Sequence, residues 1–506
     1  MKKWIFSLAG GLIASCSIAQ SNGTQLFDES FVHRIDVTFQ QTGFWDSLSN
    51  YYDEAMNNGT DVKYMMGTVT VDGTLIDSIG VKQKGFFSNW GASGSFKKPL
   101  KISMNQYVSS QKYDGLRKIN LSNGFQDPSM MRDALAYKFM RDAGLDVPRT
   151  AYTKLYLNGT YWGLYLMVEE IDKRALKNWY AADSGNLFKC INNTSLDYQG
   201  NSPANYQDEF ELQTNETAND WSRLIYLTKK IATPQANFED SILQVLNIDQ
   251  YLYVLAADII MFNWDSYYDH GRNFFLYQNP ETNLMDWIPW DYNLAFSTTN
   301  TDLIIDYSQT QDGPKQLVKK IQEDPELRSS FFNHVCILMD NYFTLGNLES
   351  YINTTAALIR PELNADVNKF FSITDFDASI HNDVNAVDPF GQWSTYKGLT
   401  QFITERQSAV AQQLSNYQHE CTSLGAVELA LESVMVYPNP FESTFTVEAG
   451  TVIEQLEVYS ITGQLLMTQS PKTKKASISL DDFASGSYLV RTVTASGMRT
   501  IPVNKK

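Results

Sequence analysis

The sequence predicts an α+β protein, with a mainly β part, a mainly helical part and a separate small β unit at the C-terminal end. Before about residue 209, short runs of alternating apolar and polar residues are separated by turn residues, which is typical of strands. From there to about residue 421, apolar residues recur three and four positions apart, the period of an amphipathic helix. A β part that leads into a helical part indicates an α+β or two-lobed arrangement. After residue 434, short strands alternate with Gly, Pro and Asn turns, which predicts a small antiparallel β-sandwich.

The individual elements follow from the same patterns, taken in chain order. In the first part, strands are predicted over residues 34–39, 64–71 and 97–104, a helix over residues 127–144, and a hairpin that turns at Asn158-Gly159. In the second part, helices are predicted over residues 221–231, 238–246, 248–262 and 399–414. The aromatic runs near residues 274–277 and 287–290 are expected to be buried strands.

Composition limits the possible partners. The chain has 506 residues, of which 19% are charged and 43% hydrophobic, so it can build a large core and an appended module. Its net charge of −17 argues against nucleic acids and acidic membranes, because binding to them needs clustered Lys and Arg.

The N-terminus has the pattern of an export signal, with two Lys, a short apolar run and small residues before Ala19. We expect cleavage after Ala19. A lipoprotein box that would lipidate Cys16 is the alternative. No later stretch reaches the length of a membrane helix, so the mature chain is expected to be secreted or surface-attached, with no transmembrane segment.

Cysteines and acidic residues give weaker signals. Cys190, Cys336 and Cys421 remain after cleavage, an odd number that allows one disulfide or three thiols. No Cys or His cluster has zinc spacing. An acidic stretch between residues 375 and 388 lacks the pattern of a calcium hand, so it predicts solvated turns, with a Ca²⁺ site as the alternative.

Three polar residues lie beside the aromatic runs. Asp265, Asn273 and Asp291 would be expensive to bury without partners. Two carboxylates and an amide are what a Mg²⁺–nucleotide site requires, one to orient a hydroxyl and two to hold the metal. The alternative is that both Asp residues only cap turns.

The C-terminal unit resembles the sorting domain of bacterial type IX secretion cargo. Four features match that pattern in order, namely residues 437–441 (YPNPF), 458–463 (VYSITG), 486–488 (GSY) and the final Lys505-Lys506. The resemblance implies that type IX secretion machinery carries the chain across the outer membrane and releases or anchors it at the surface.

The larger part resembles the spore-coat-protein-H (CotH) kinase family of atypical protein kinases. Landmarks occur in order over most of residues 27–421: residues 81–85 (VKQKG), 97–102 (KKPLKI), 131–135 (MRDAL), 156–159 (YLNG), 162–165 (WGLY), Glu169 with Ile171-Asp172, 185–189 (GNLFK), and the Asp265 and Asp291 motifs. The resemblance implies a two-lobed, protein-kinase-like domain. The expected organisation is a signal peptide over 1–19, the kinase-like domain over 21–421, a linker over 422–433 and the sorting domain over 434–506.

The resemblance assigns roles to the three polar residues. Asp265 would be the catalytic residue that orients the substrate hydroxyl, and Asn273 and Asp291 would bind Mg²⁺ or Mn²⁺ on ATP. The implied activity is transfer of the ATP γ-phosphate to Ser or Thr of exported or surface proteins.

A basic group must also contact the α- and β-phosphates. Lys98 is the first candidate on the N-terminal sheet, followed by Lys84 and Lys101, although each has the pattern of an ordinary strand residue. Glu169 and Glu170 lie at a strand end where adenine is expected, and backbone groups usually make that contact.

Two positions depart from the family pattern. Arg272 stands where the family often has His, with His270 two positions earlier, and Asn293 stands where a second Asp often follows the metal-binding Asp. These departures favour the alternative of a non-catalytic surface or coat protein, a pseudokinase or adhesin. A glycosidase that uses Asp265 and Asp291 as acid and base is the third hypothesis, and the order of landmarks does not support it.

Overall fold

The computed structural model describes residues 22–299, 301–307, 313–421, 435–439, 441–460, 465–481, 483–484, 486–494 and 497–505. The expected signal peptide, Cys16 and the expected linker therefore lie outside the described residues. The chain divides into two compact units, Met1–His419 and Glu420–Lys506. The mixed α+β class predicted from the sequence is confirmed.

A closed barrel of seven strands forms the first part of the larger unit. Its strands are His33–Thr38 (β1), Met65–Val71 (β2), Thr74–Gln83 (β3), Leu100–Ser103 (β4), Lys118–Ser122 (β5), Thr150–Leu157 (β6) and Thr160–Val168 (β7). The order around the barrel is β1-β2-β3-β4-β5-β7-β6. Parallel pairing of β1 with β6 closes the barrel, and closure removes the exposed edges that an open sheet would have. Buried Ile, Leu, Val and Met side chains fill the interior.

Four helices accompany the barrel: Phe44–Asn58 (α1), Phe87–Trp90 (α2), Arg132–Asp142 (α3) and Lys173–Trp179 (α4). α3 begins five residues later than the predicted helix over 127–144, because the Asp127 side chain holds the preceding residues in turns. Its carboxylate accepts hydrogen bonds from the backbone N–H groups of Ser129 and Arg132, at 3.0 and 2.8 Å. Asp residues favour such local backbone contacts over helix.

A second sheet and most of the helices follow the barrel. The sheet has the order β11-β10-β8-β9, from Leu187–Cys190 (β8), Phe210–Leu212 (β9), Phe274–Gln278 (β10) and Met285–Pro289 (β11). The helices are Ser222–Ile231 (α5), Phe238–Ile242 (α6), Ile248–Ile260 (α7), Gln316–Glu323 (α8), Pro325–Asn341 (α9), Leu345–Ala365 (α10), Ile373–Ser379 (α11) and Leu399–Asn416 (α12), with a hairpin of Val384–Val387 (β12) and Trp393–Tyr396 (β13). The predicted buried strands and the predicted helices over 221–231, 248–262 and 399–414 are confirmed. The helix predicted over 238–246 is wrong in its second half: α6 ends at Ile242, because the backbone of Val245 and Leu246 pairs with Met285 of β11.

A buried ion pair ties the barrel to the helical part. Lys97 and Asp366, which follows α10, are both fully buried and form a salt bridge. Asp366 also accepts the backbone N–H of Leu164 at 3.0 Å. Gly163 has φ +146°, and a Cβ there would lie 2.6 Å from the Asp366 carboxylate. The glycine of the WGLY sequence is therefore required for this close approach.

The described cysteines and the acidic stretch between residues 375 and 388 make structural contacts. Cys336 and Cys421 are disulfide-bonded, and Cys190 is a buried thiol. Asp375 completes a capping box at the start of α11, and Asp377 pairs with Arg360. Among the described residues, no group of three acidic, His or Cys side chains is arranged to hold a metal.

The smaller unit is an antiparallel sheet of six strands: Met435–Tyr437 (β14), Thr444–Ser460 (β15), Leu465–Gln469 (β16), Thr473–Ser479 (β17), Gly486–Thr494 (β18) and Gly497–Lys505 (β19). The long β15 pairs with β14 and β17 through its first half and with β16 and β18 through its second half. Phe445, Val447, Ile453 and Val458 from β15 are buried in its core. The two halves of β15 therefore pair with different strands and contribute side chains to the same core.

Candidate active site

A cleft of about 630 Å³ lies between the barrel and the second sheet. Strands β3, β4 and β5 supply basic side chains to one end, and the residues around β10 and β11 supply polar side chains to the other. The lining includes Lys84, Lys101, Asn120, Asp133, Glu170, Asn273, Asp291 and Asn293. The end with the basic side chains of β3, β4 and β5 is called the barrel end, and the end with the polar side chains around β10 and β11 is called the loop end.

The β10–β11 hairpin brings Asn273 and Asp291 together. Asn273 precedes β10 and Asp291 follows β11, and the register pairs Phe274 with Pro289. The backbone N–H of Trp290 donates to the carbonyl of Asn273 at 2.9 Å. Both polar residues have left-handed φ values, 62° and 64°, which side chains with local polar contacts tolerate best. The hairpin therefore places both side chains at the loop end.

Asp265 lies beside Asn273, in the loop after α7. Its carboxylate accepts the side-chain N–H of Asn273 at 3.0 Å through Oδ2. Its Oδ1 accepts two bonds from Arg272, at 2.6 Å from Nε and 2.5 Å from Nη2. Burial raises the pKa of Asp265, and the Arg272 guanidinium opposes that rise. Both carboxylate oxygens are thus engaged by neighbouring side chains.

Asp133, near the start of α3, faces the same end of the cleft. Its Oδ1 accepts the backbone N–H of Tyr292 at 2.7 Å. Burial and the charge of Asp291 raise the pKa of Asp133 to about 8. Burial and the charge of Asp265 raise the pKa of Asp291 to about 6, against the opposing charge of Lys84. At the loop end, the carboxylate of Asp291 therefore interacts unfavourably with those of Asp133 and Asp265.

Paired charges line the barrel end. Lys101 donates to Glu170 at 2.5 Å, and Asn120 donates to the other carboxylate oxygen at 2.7 Å. Burial favours a neutral Glu170, but the ammonium groups of Lys101 and Lys118 outweigh it and hold the pKa of Glu170 well below its usual value. Lys84 donates to Asn120 at 3.2 Å, and its ammonium lies 5.5 Å from the Trp290 ring centre. Burial lowers the pKa of Lys84.

The structure brings together some of the predicted residues and leaves two elsewhere. Asn273, Asp291, Lys84 and Lys101 line the cleft, and Asp265 is held beside them by its bond to Asn273. Lys98, the first-ranked lysine, does not line it. Its ammonium donates to the carbonyls of Asn89 and Ala92 at 2.7 and 2.8 Å. Glu169 is buried away from the cleft, in a two-bond salt bridge with Arg149 at 2.5 and 2.9 Å.

Sequence reasoning gave too little weight to Glu170 and missed Asp133. Neighbouring residues at a strand end point to opposite sides, so only one of Glu169 and Glu170 faces the cleft. Asp133 stands within the MRDAL landmark, but its role depends on how α3 packs. Asn293 also lines the cleft, and its backbone N–H donates to the Asp291 carboxylate.

Two buried arginines fix the chain that follows Asp291. Arg132 donates to the carbonyls of Ala295 and Phe296, at 2.6 and 2.7 Å. Arg406 on α12 donates to the carbonyls of Thr299 and Thr301, at 3.1 and 2.5 Å. Guanidinium groups donate in a planar fork that suits several carbonyls at once. The segment after the metal-binding candidate is therefore anchored at both ends.

The donor set at the loop end fits a hard divalent cation. Asp291 supplies carboxylate oxygens and Asn273 an amide oxygen, while the amide nitrogen of Asn273 is used by Asp265. Carboxylate and amide oxygens are the ligands that Mg²⁺ prefers, and Mn²⁺ accepts them as well. Asp291 and Asn273 are therefore the residues that could hold such a metal.

Comparisons with known proteins match both units. A family model described as CotH kinase protein matches residues 81–409, and one described as secretion system C-terminal sorting domain matches residues 435–502. The chain is 28% identical over 288 residues to the inner spore coat protein H of Bacillus subtilis, covering 56% of this chain and 77% of that protein. It is 20% identical to invasin CotH7 of Rhizopus delemar, covering 52% of this chain and 45% of that protein.

A shorter match links the chain to ulvan lyase NLR42 of Nonlabens ulvanivorans, with 29% identity over 138 residues, 26% of this chain and 24% of that protein. Within the described residues, no helix is long and apolar enough to cross a membrane. The sorting domain implies recognition by secretion machinery and a secreted or cell-surface location. Because the first family model covers well over half of the chain, the protein belongs to the CotH kinase protein family.

Proposed function

We propose that the chain is an exported atypical protein kinase, which transfers the γ-phosphate of ATP to Ser or Thr hydroxyls of extracytoplasmic or surface proteins. The observation that carries the proposal is the cleft itself, because basic side chains line one end and Asp265, Asn273 and Asp291 meet at the other. A nucleotide needs both, positive charge along its phosphates and oxygen ligands for its metal. The barrel and the helical part would then correspond to the two lobes of a kinase.

Each residue has a distinct task in this proposal. Asp265 orients the acceptor hydroxyl and takes its proton, and its bond to Asn273 fixes it relative to the metal ligand. Asn273 and Asp291 hold Mg²⁺ or Mn²⁺, which when bound neutralises phosphate charge and aligns the γ-phosphate for transfer. Lys84 contacts the phosphates, since its ammonium has one neutral partner, Asn120, and no bonded carboxylate among the described residues.

Lys101 and Glu170 have a supporting task. Lys101 is bound to Glu170, and Glu170 also holds Asn120, which in turn holds Lys84. Because the Lys101 ammonium is already paired with Glu170, it holds the geometry of the barrel end more than it attracts phosphate. The pair therefore positions Lys84 through Asn120.

One observation favours a second function, that of a non-catalytic surface protein. Arg272 occupies Oδ1 of Asp265 with two short bonds, which weakens Asp265 as a base. Two matched relatives bear the names spore coat protein and invasin, and both names describe surface components. In this alternative the fold is kept for display or adhesion, and the cleft binds nucleotide without phosphate transfer or binds none.

The test compares substitution of Lys84, which lines the cleft, with substitution of Lys98, which does not. Purified chains with Lys84→Met and Lys98→Met are melted with and without ATP and Mn²⁺. Ligand at about 100 times its Kd stabilises the folded state by about 2.7 kcal/mol. We expect this stabilisation in the unmodified chain and in Lys98→Met, and its loss in Lys84→Met.

Labelled phosphate transfer to the chain itself and to a basic carrier protein then separates the two functions. Stabilisation with transfer supports the kinase, and stabilisation without transfer supports the pseudokinase. If ATP with Mn²⁺ stabilises none of the chains, the nucleotide site is refuted.

A further inference from the structure

We infer that Asp133 is a third protein ligand of the divalent metal at the loop end, together with Asp291 and Asn273. The inference rests on the proposed function. It adds to the site a residue from α3, whereas the other two come from the β10–β11 hairpin. Three features of the loop end support it: the docking of α3 against the segment that carries Asp291, the balance of charge there, and the oxygen atoms left for a ligand.

α3 presents two residues to the Asp291 segment. Asp133 and Tyr137 are one helical turn apart and lie on the same face of the helix. Asp133 Oδ1 accepts the N–H of Tyr292 at 2.7 Å, and Tyr137 Oη accepts the N–H of Asp291 at 2.9 Å. Two consecutive backbone groups are thereby fixed to the helix, so the Asp133 and Asp291 side chains line the same end of the cleft.

Charge at this end is unbalanced. Asp133, Asp265 and Asp291 face two cationic side chains, Arg272 and Lys84. Arg272 is bonded to Asp265, and Lys84 is bonded to Asn120. Neither forms a salt bridge with Asp133 or Asp291. Carboxylates brought together in a cleft without a bonded cation repel each other, and a divalent ion between them removes that repulsion.

Oxygen atoms remain for such an ion. Within the described residues, the hydrogen bond to Asp133 involves Oδ1, and Oδ2 keeps its acceptor capacity. Asp291 adds carboxylate oxygens, and Asn273 adds Oδ1, because its nitrogen is the atom bonded to Asp265. Three protein oxygens suit Mg²⁺ or Mn²⁺, which fill their other positions with phosphate oxygens and water.

Asp133→Asn tests the inference because asparagine keeps an oxygen for the Tyr292 N–H and loses the charge. Free Mn²⁺ is followed by electron paramagnetic resonance during titration of the purified chain with a non-hydrolysable ATP analogue. We expect Asp133→Asn to raise the Kd for Mn²⁺ at least about tenfold, since hard cations lose affinity with each anionic ligand removed. Tyr137→Phe is the matched control. It removes the neighbouring docking bond to Asp291 without removing charge, so it should raise the Kd for Mn²⁺ much less than Asp133→Asn does.

The inference would be overturned if Asp133→Asn bound Mn²⁺ as tightly as the unmodified chain. It would also be overturned if Tyr137→Phe weakened Mn²⁺ binding as much as Asp133→Asn does, because the docking of α3 alone would then explain the effect of Asp133. Asp291→Asn separates this failure from failure of the proposed function. If Asp291→Asn loses Mn²⁺ binding and Asp133→Asn keeps it, only the ligand role of Asp133 is refuted. If both variants keep Mn²⁺ binding, the metal site itself is refuted.

A second measurement does not depend on the folding of a variant. Fe²⁺ with ascorbate cleaves a polypeptide near the residues that hold the iron. In the unmodified chain with the ATP analogue, cleavage is expected near residue 133 as well as near residues 273 and 291, and excess Mn²⁺ should suppress it. Cleavage at the hairpin sites without cleavage near residue 133 would contradict the inference.

Discussion

The two ends of the cleft handle charge in opposite ways. At the barrel end, Glu170 and Lys101 form an ion pair that Asn120 extends to Lys84. At the loop end, three carboxylates share one bonded cation, the Arg272 guanidinium on Asp265. In the first arrangement each carboxylate oxygen of Glu170 has a side-chain donor, whereas in the second Asp133 and Asp291 have no salt bridge among the described residues. The two ends of one cavity therefore differ in how their carboxylates are neutralised.

The largest expected effect separates two residues of the loop end. Asp265→Ala should keep Mn²⁺-dependent nucleotide binding and lose phosphate transfer by about 10²- to 10⁴-fold, the usual contribution of a positioned base. Asp291→Ala should lose the binding itself, because a metal ligand acts in the ground state as well as in the transition state. Calorimetric binding and labelled transfer measure the two. Equal loss of binding in both variants would make Asp265 a metal or structural residue.

The barrel end should respond through stability. Glu170→Ala leaves Lys101 without its anion in a mostly buried network, and we expect a loss of about 2 kcal/mol in urea unfolding after discounting for partial exposure. Glu54→Ala breaks the exposed pair with Lys63 and should change stability by less than about 1 kcal/mol. A similar small change in Glu170→Ala would mean that the network does not hold the barrel end together.

pH should affect the two ends in opposite directions. The pKa of Glu170 lies below its ordinary value of 4.5, so its contribution to stability is present above that value and is lost as pH falls. The pKa values of Asp133 and Asp291 are raised from 3.8 to about 8 and about 6, so the folded state binds protons more tightly than the unfolded state. Their contribution is therefore lost as pH rises from about 4 to 8.

Thermal melts of the metal-free chain test this contrast. The Tm of the unmodified chain should fall between pH 5 and pH 8 by several degrees, and Asp133→Asn, which stays neutral, should fall less. An identical fall in both chains would mean that Asp133 does not titrate in this range.

The smallest effect is expected at Asn293, which lines the loop end. Asn293→Asp adds an anionic oxygen beside Asp291, and hard cations gain affinity with ligand charge. The Mn²⁺ concentration for half-maximal binding should fall a few-fold, with Asn293→Gln as the uncharged control. An unchanged Mn²⁺ dependence would show that the Asn293 side chain does not reach the metal.

Local patterns in the sequence predicted much of this arrangement. The Asn158-Gly159 turn and the aromatic strands β10 and β11 could be identified because their signals are contained within a few neighbouring residues. The β10–β11 hairpin then brings Asn273 and Asp291 together without information from the rest of the chain.

The remaining site residues depend on distant packing. Lys98 and Lys84 have the same strand-like pattern, and only the turns between β3 and β4 decide that Lys98 binds local carbonyls. Asp133 reaches the loop end because α3 packs against residues about 160 positions later. No short sequence pattern reports contacts at such separations, so the positions of Lys84 and Asp133 in the cleft could not be predicted from the sequence.

Barrel closure by β1 and β6 also affects when the chain can fold. The residues that meet there, His33 and Thr153, are 120 positions apart, so the edge of β1 that does not pair with β2 has no partner until the ribosome has made β6. At ordinary rates of synthesis this delay lasts roughly ten seconds, and distant pairing is itself slow. The parallel closure of the barrel is therefore a late step in the folding of this unit, possible only after the β1–β2 pair and the strands between have been made.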